Sequence, residues 1–503
     1  MLTRIKTASL TGVTGYPVVV ETDIHRGMPA FNLAGLADAT IRESFRRIKP
    51  AVINSGYQFP DEKITVNLMP AGKQKEGSHF DLPIALGIIL SKMECPSPED
   101  TGFLGEISLD GRINHIRGAL PLAMCLRNVG IHNIVLPMAN ADEVSVLEDI
   151  NIIPVETIGD AVTYILNPHV LDVYERREFP TAGGDNLDFS QVVGQESVKR
   201  AIVVAVSGMH GVLLMGGPGC GKTMMARRIP SIMPQLTYEE QLEITGIYSV
   251  AGLLGQDCQI INQRPFRSPH STISAIGLTG GGSGRIRPGE LSLAHGGVLF
   301  LDELGEFDNR AIDAMRQPLE EGVVRINRNT EEIVFPSRTM VVVASNPCKC
   351  GYLWDRHRVC TCTPQQLSAH QKKLAGPFAD RIDMHIKVNP VSRESIEESS
   401  LHEGETSESM RLQVERCLAI QKERYRHTAY TSNGTLDEKG IERYCRLDSE
   451  GMRLVTDAYE SMHMTMRAYS KVIKIARTIA DLDGAAHIGA DHIAEALMYR
   501  IKG

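Results

Sequence analysis

Nowhere in the 503 residues does an uninterrupted apolar run reach the roughly 20 positions needed to cross a bilayer as a helix. A membrane-embedded bundle is therefore excluded, and no membrane partner is expected. The opening stretch, MLTRIKTASLTGVTGYPVVVETDIHRG, has no apolar core followed by a small-residue cleavage site. No secretory signal is read there, and a cytoplasmic location is predicted. An excess of basic charge is missing too: 53 Lys and Arg stand against 61 Asp and Glu, a net charge of −8. That is the wrong sign for a protein that coats nucleic acid with its whole surface, so any such contact has to be local. Internal repeats and low-complexity tracts are also lacking. Ten cysteines in a long cytosolic chain argue against a disulfide framework, and only Cys348, Cys350, Cys360 and Cys362 cluster.

What is present reads as two or three globular cores, since the length is several times that of one domain and the 42% apolar and 23% charged fractions are ordinary. Residues 1–166 alternate short strands such as VVVETDI, KITVNLMP and NIVLPM with helical stretches such as ATIRESFRRIKPAVINSG and LPIALGIILSK. They predict one α/β domain. Residues 167–190 lose this periodicity and read as a linker. Over 191–391 the apolar runs GVLLMG, GGVLFLDE, TMVVVASNP and DMHIKV are continuous rather than alternating, as expected of strands buried on both faces of a parallel sheet. Residues 392–503 read as helical throughout.

The densest signal is VLLMGGPGCGKTMMARR, Val212 to Arg228. An apolar strand runs into Gly216, Gly217, Pro218, Gly219, Cys220, Gly221, Lys222 and Thr223, and a helix follows. This satisfies G-x-x-x-x-G-K-[ST] in the context the motif needs. Glycines let backbone N–H groups face phosphates, helped by the positive end of the helix. Lys222 is expected to reach the β and γ phosphates of ATP, and the Thr223 hydroxyl to hold Mg²⁺. Four apolar residues then end in Asp302 and Glu303 at GVLFLDELGEF. Asp302 is expected on Mg²⁺, and Glu303 as the group that polarises the attacking water.

At this point the chain resembles the AAA+ ATPases. VVGQESVKRAI, with Gly194 and Gln195, resembles their adenine-side motif, and Asn346 at the end of TMVVVASN resembles the polar sensor that orients the water. Arg381 in GPFADRIDMHI resembles the arginine finger given to a neighbouring subunit, and Arg467 in TMRAYSKV the sensor-2 arginine of the lid. The resemblance implies a homo-oligomer, a hexamer, in which each site is completed by its neighbour.

Within that superfamily, NQRPFRSPHSTISAIGLTGGGSGRIRPGELSLAHGGVLFLDEL resembles the magnesium-chelatase-like YifB/ComM family. Arg264, Arg267, His270, Arg285 and Arg287 there are read either as a basic loop facing a central pore or as a surface insertion whose arginines pair with carboxylates. GVVRINRNTEEIVFPSR predicts a hairpin tipped by Arg328, Asn329 and Thr330. By resemblance to ring helicases, Arg325 and Arg328 become candidate phosphate contacts for single-stranded or branched DNA. The two C-x-C pairs in NPCKCGYLWDRHRVCTCTP are read as a Cys₄ structural Zn²⁺ site or as four reduced thiols, with a redox role as a third option.

Residues 1–166 resemble the proteolytic domain of Lon at KEGSHFDLPIALGIIL and LGEISLDGRINHIRGALPLAMCLRNVG. The Ser/Lys dyad is not reproduced: Ser78 is one place off, and Leu120 and Pro121 stand where the lysine belongs. An inactive domain is expected, because a serine without a base is a weak nucleophile. The fold class implied is α/β, an AAA+ phosphate-loop core with a parallel sheet and a C-terminal helical lid behind a Lon-like α/β domain. The activity implied is ATP-driven translocation on DNA, as in branch migration during natural transformation. The alternatives are a chelatase-type ATPase that remodels a partner protein and an ATP-dependent Ser/Lys protease.

Overall fold

A computed structural model describes residues 2–175, 187–254, 260–282, 286–328, 331–355, 358–374, 378–391 and 404–500. The N-terminal unit is built on strands β1 (Thr3–Thr11), β2 (Thr14–His25), β3 (Ala30–Ala34), β4 (Lys63–Met69) and β5 (Thr101–Phe103). A small ribbon follows, β6 (Glu106–Ile107) with β7 (Ile113–Asn114), and then β8 (Asn133–Pro137) and β9 (Asn151–Val155). Seven of them form one mixed sheet in the order β3-β4-β2-β1-β5-β8-β9. The alternation of β2 buries Tyr16, Val18, Val20 and Thr22, and β4 answers with Ile64, Val66 and Leu68. Against this face lies the helix Asp81–Met93, whose residues from Asp81 to Ser91 are all buried. Its sequence is apolar all round because protein covers it on every side. The helix Ala39–Asn54 is amphipathic instead, with Ile41, Ile48, Ala51 and Val52 inward, and Asp38 caps its start by accepting from the Ile41 N–H.

The second sheet carries β10 (Val212–Met215), β11 (Phe266–Arg267), β14 (Val298–Leu301), β17 (Met340–Ser345) and β18 (Met384–Lys387), in the order β11-β14-β17-β10-β18. Every pairing in it is parallel. The continuous apolar runs are buried as their composition requires: all four residues of β14 and all six of β17 are inaccessible. Between β11 and β14 lies a two-stranded ribbon of β12 (Gly280–Gly281) and β13 (Arg287–Pro288). Between β14 and β17 comes the hairpin of β15 (Val323–Arg328) and β16 (Glu331–Pro336), paired antiparallel from Val323↔Pro336 to Arg328↔Glu331. The tip residues Asn329 and Thr330 lie outside the described residues.

Two contacts lock the first unit to the second. The helix Tyr238–Ala251 inserts Leu242 among Ala119, Leu122, Ala123 and Leu126 of the N-terminal unit. Its Ser249 hydroxyl donates to the Glu143 carboxylate, and the Tyr238 hydroxyl donates to the Val146 carbonyl at 2.7 Å. The hairpin makes the other contact, since a Cβ on Gly12, which has φ +66°, would lie 2.7 Å from the Val334 carbonyl oxygen.

From residue 404 onward come the helices Ser407–Tyr425, Glu438–Tyr444, Ser449–Ser461, Met466–Leu482 and Ala490–Met498. Their centre is ionic. Asp481, 3% exposed, accepts from Arg424 at 2.7 Å, from Arg477 at 3.1 Å and from the Asn433 amide at 2.9 Å. Asp481→Ala leaves two guanidinium groups without their shared carboxylate, and the lid is expected to lose about 3 kcal/mol of local stability. Faster hydrogen exchange of the Met466–Leu482 amides is the measurement; unchanged exchange would remove Asp481 from the lid's support. Among the described residues no helix is long and apolar enough to cross a membrane.

Candidate active site

Strand β17 lies between β10 and β14, so the residue that ends it stands between those that end its neighbours. Asn346 is thereby set between the phosphate loop and Asp302. The loop itself depends on glycine in two ways. A Cβ on Gly216 would sit 2.3 Å from the Val388 carbonyl oxygen, and Gly219 and Gly221 take φ of +78° and +84°, which L side chains rarely adopt. Gly221 caps the helix Lys222–Ile232 with no side-chain acceptor, leaving the first amides of that helix for an anion.

Lys222 is nearly buried, and its ammonium donates to the carbonyls of Gly216 (2.7 Å) and Gly217 (2.8 Å) and to Asn346 Oδ1 (3.1 Å). Burial pulls its pKa below the usual lysine range, opposed by the nearby Cys220, Asp302 and Glu303. The Thr223 hydroxyl donates to Asp302 Oδ2 at 3.0 Å, and the other Asp302 oxygen accepts from the Glu303 N–H at 3.0 Å. A hydroxyl and a carboxylate side by side are the hard-oxygen donor set that suits Mg²⁺ with water filling its remaining positions. Glu303 itself takes a left-handed backbone, φ 53° and ψ 55°, and is exposed. Such a conformation in a non-glycine residue is sparsely populated and marks a constrained position. Gly194 (φ +63°) and Gln195 (φ 64°) precede the helix Glu196–Gly208, and the Gln195 amide donates to the carbonyl of Asn389, next to the Val388 that touches Gly216.

Arg381 and Arg467 form a separate set. Although 86 positions apart, they converge on one oxygen of Glu320, at 2.9 and 2.6 Å. Glu320 was not legible beforehand, because a carboxylate in a short helix carries no spacing signal. His370, a lone histidine with no partner at ligand spacing in its helix, was equally illegible; its Nε2 lies 2.8 Å from the Asn346 carbonyl oxygen.

The basic residues assigned to DNA fare unevenly. Arg264 is held within this chain: its guanidinium donates to the Pro234 carbonyl and to the Gly296 carbonyl (2.7 Å) and pairs with Glu240 (3.3 Å), with only 11% of the side chain exposed. Arg267 is also engaged by protein, its Nε and Nη2 donating to the two oxygens of Glu290 at 2.6 and 2.7 Å. A bidentate pair with a carboxylate turns those donors toward protein, and both arginines are carboxylate-paired within this chain. His270 and Arg287 are exposed, and Arg285 lies outside the described residues. On the hairpin, Arg325 is half exposed between Glu321 (3.0 Å) and Glu332 (3.2 Å), while Arg328 faces Glu76 of the N-terminal unit at 3.9 Å. In that unit the Ser78 hydroxyl donates to Glu106, and Leu120 is fully buried. The partner of Ser78 is thus a carboxylate, and a buried leucine fills the place where the Ser/Lys reading expects the lysine.

A parallel sheet carrying a glycine loop, a lysine, a threonine–aspartate pair and an asparagine at adjacent strand ends defines a phosphate-loop nucleotide hydrolase of the AAA+ class. Magnesium chelatase, subunit ChlI, matches over residues 188–396, with further ChlI segments over 20–140 and, for its C-terminal part, 404–500. The competence protein ComM of Haemophilus influenzae is 36% identical over 497 residues, covering 97% of this chain and 95% of its own. The YifB protein of Salmonella typhimurium is 35% identical over 505 residues, covering 99% and 97%. The magnesium-chelatase subunit ChlI of Chlorella vulgaris is 25% identical over 230 residues, covering 41% of this chain and 59% of its own. The chain belongs to the ComM/YifB family of magnesium-chelatase-like AAA+ ATPases.

Proposed function

We propose that this chain is the subunit of a cytoplasmic, homo-oligomeric ring, a hexamer, that hydrolyses ATP to translocate on single-stranded or branched DNA. The observation that carries the ATPase reading is the hydrogen-bonded set Lys222, Asn346, Thr223 and Asp302. Mg²⁺, when bound, neutralises charge on the β and γ phosphate oxygens. Lys222 would exchange its contacts to Gly216 and Gly217 for those oxygens, and Thr223 and Asp302 would hold the metal. Glu303 takes the proton of the attacking water, and Asn346 fixes that water's direction. Gly194 and Gln195 line the adenine side. Arg381 acts as the arginine finger on the γ phosphate of the neighbouring subunit's ATP and Arg467 as the sensor-2 arginine of the lid; the two meet at Glu320 rather than at Asp302. The four clustered cysteines hold a structural Zn²⁺.

DNA as cargo is supported by full-length likeness to a competence protein and by the exposed His270 and Arg287 and the half-exposed Arg325. Likeness to ChlI along three segments favours a second reading, remodelling of a partner protein. Forked DNA separates the two. It is expected to raise the ATPase rate several-fold, with binding that weakens linearly in log affinity against log salt, as counterion release demands. A rate indifferent to DNA at low salt would remove the translocase reading and leave the ATPase.

A further inference from the structure

The four thiols do more than sit near one another. Their sulfurs all lie within 4.8 Å, with Cys348 to Cys350 at 3.4 Å, Cys348 to Cys360 at 3.7 Å and Cys350 to Cys360 at 3.5 Å. A tetrahedron of sulfurs, each about 2.3 Å from a central Zn²⁺, has edges of about 3.8 Å. The Cys350 N–H points at Cys362 Sγ at 3.3 Å, an outer contact of the kind that orients a thiolate ligand. The donor set fits the metal.

The surroundings of this cluster are the catalytic parts. Cys348 follows Asn346 by two residues and is fully buried. Gly351, one residue past Cys350, rests on the phosphate loop: a Cβ there would meet Pro218 Cδ at 2.7 Å, and a Cβ on Gly217 would lie 3.4 Å from the Gly351 carbonyl oxygen. Beyond Cys362, the helix Pro364–Leu374 returns His370 to the Asn346 carbonyl at 2.8 Å. The same imidazole lies against the turn after Glu303, where a Cβ on Gly305 would be 3.5 Å from it. On the far side, the Lys387 ammonium at the end of β18 lies over the Trp354 ring, 5.0 Å from its centroid. The cysteines thus close a circuit that touches the phosphate loop, the polar sensor and the acidic turn.

We infer that this cysteine loop is a metal-set clamp on the phosphate loop, so that metal occupancy governs nucleotide affinity and not only local folding. The inference rests on the proposed Zn²⁺ site. With the four sulfurs held, Gly351 keeps Pro218 in place and His370 keeps Asn346 aimed at Lys222. With the sulfurs released, the loop is free to leave Pro218, and the amides of the phosphate loop lose their preorganisation for an anion.

The test combines zinc content with ADP affinity by calorimetry on four full-length proteins: wild type, wild type stripped by a chelator, Cys360→Ser and Gly351→Ala. Wild type should carry one zinc per chain. The stripped protein and Cys360→Ser should bind ADP at least ~10-fold more weakly, with an unchanged far-ultraviolet helix signal. Gly351→Ala separates metal from clamp. It retains all four cysteines and should keep its zinc, yet its new methyl group pushes against Pro218 from a left-handed position (φ +85°), and it should also lose about 10-fold in ADP affinity. Wild type without zinc overturns the metal site. Zinc present, with ADP affinity unchanged in stripped protein and in Gly351→Ala, overturns the clamp while the metal site stands. Should Cys360→Ser fail to fold, the stripped wild type together with Gly351→Ala decides.

Discussion

Arg381→Ala is expected to lower kcat for ATP hydrolysis about 10³-fold, the scale of a lost arginine finger, while ADP affinity stays within about two-fold of wild type. The reason is positional. Arg381 makes its ion pair with Glu320, whereas the phosphate loop of the same chain is already served by Lys222, Thr223 and Asn346. An arginine that acts on a neighbour's nucleotide stabilises charge in the transition state without holding the ground state. Mixing is the sharper measurement. Chains with Arg381→Ala retain a sound loop, and chains with Lys222→Ala retain a sound arginine, so a mixture should recover activity that neither has alone. Failure to complement, with both variants assembling normally, would place Arg381 outside the shared site.

The second large effect belongs to Glu303. Glu303→Gln keeps shape and hydrogen-bonding capacity but removes the proton acceptor, and hydrolysis should fall about 10² to 10⁴-fold with ATP still bound. Its exposed carboxylate and left-handed backbone beside the Thr223–Asp302 pair are the basis. Lys222→Ala, by contrast, should lose the nucleotide itself. The pair of variants is read by filter binding of ATP beside single-turnover hydrolysis. Equal loss of binding in both would deny Glu303 a role confined to the chemical step.

Much of this site could be read from the chain because its chemistry is local. The glycine loop, lysine and threonine are consecutive, and an acidic pair ending an apolar strand keeps its meaning wherever the strand lies. The order β14-β17-β10 was not legible. It depends on which strand finds which neighbour, and all three read as equally apolar runs. The pairing of Arg264 and Arg267 was illegible for a related reason: a basic residue announces its charge, but its partners, Glu240 and Glu290, lie 24 and 23 positions away and are indistinguishable in sequence from any other surface glutamate. The hairpin was legible as two strands, but not as an element resting on Gly12 and Glu76 of the first domain.

That last contact, with Leu242 seated among the apolar residues of the first domain and Ser249 bound to Glu143, bears on how such a chain can be inherited. Two halves that interlock at such a seam are poorly suited to being shuffled as independent cassettes. A recombinant gene joining the front of one relative to the back of another would have to carry both faces of the seam together, so a change at Leu242 or Ser249 calls for an answering change across it.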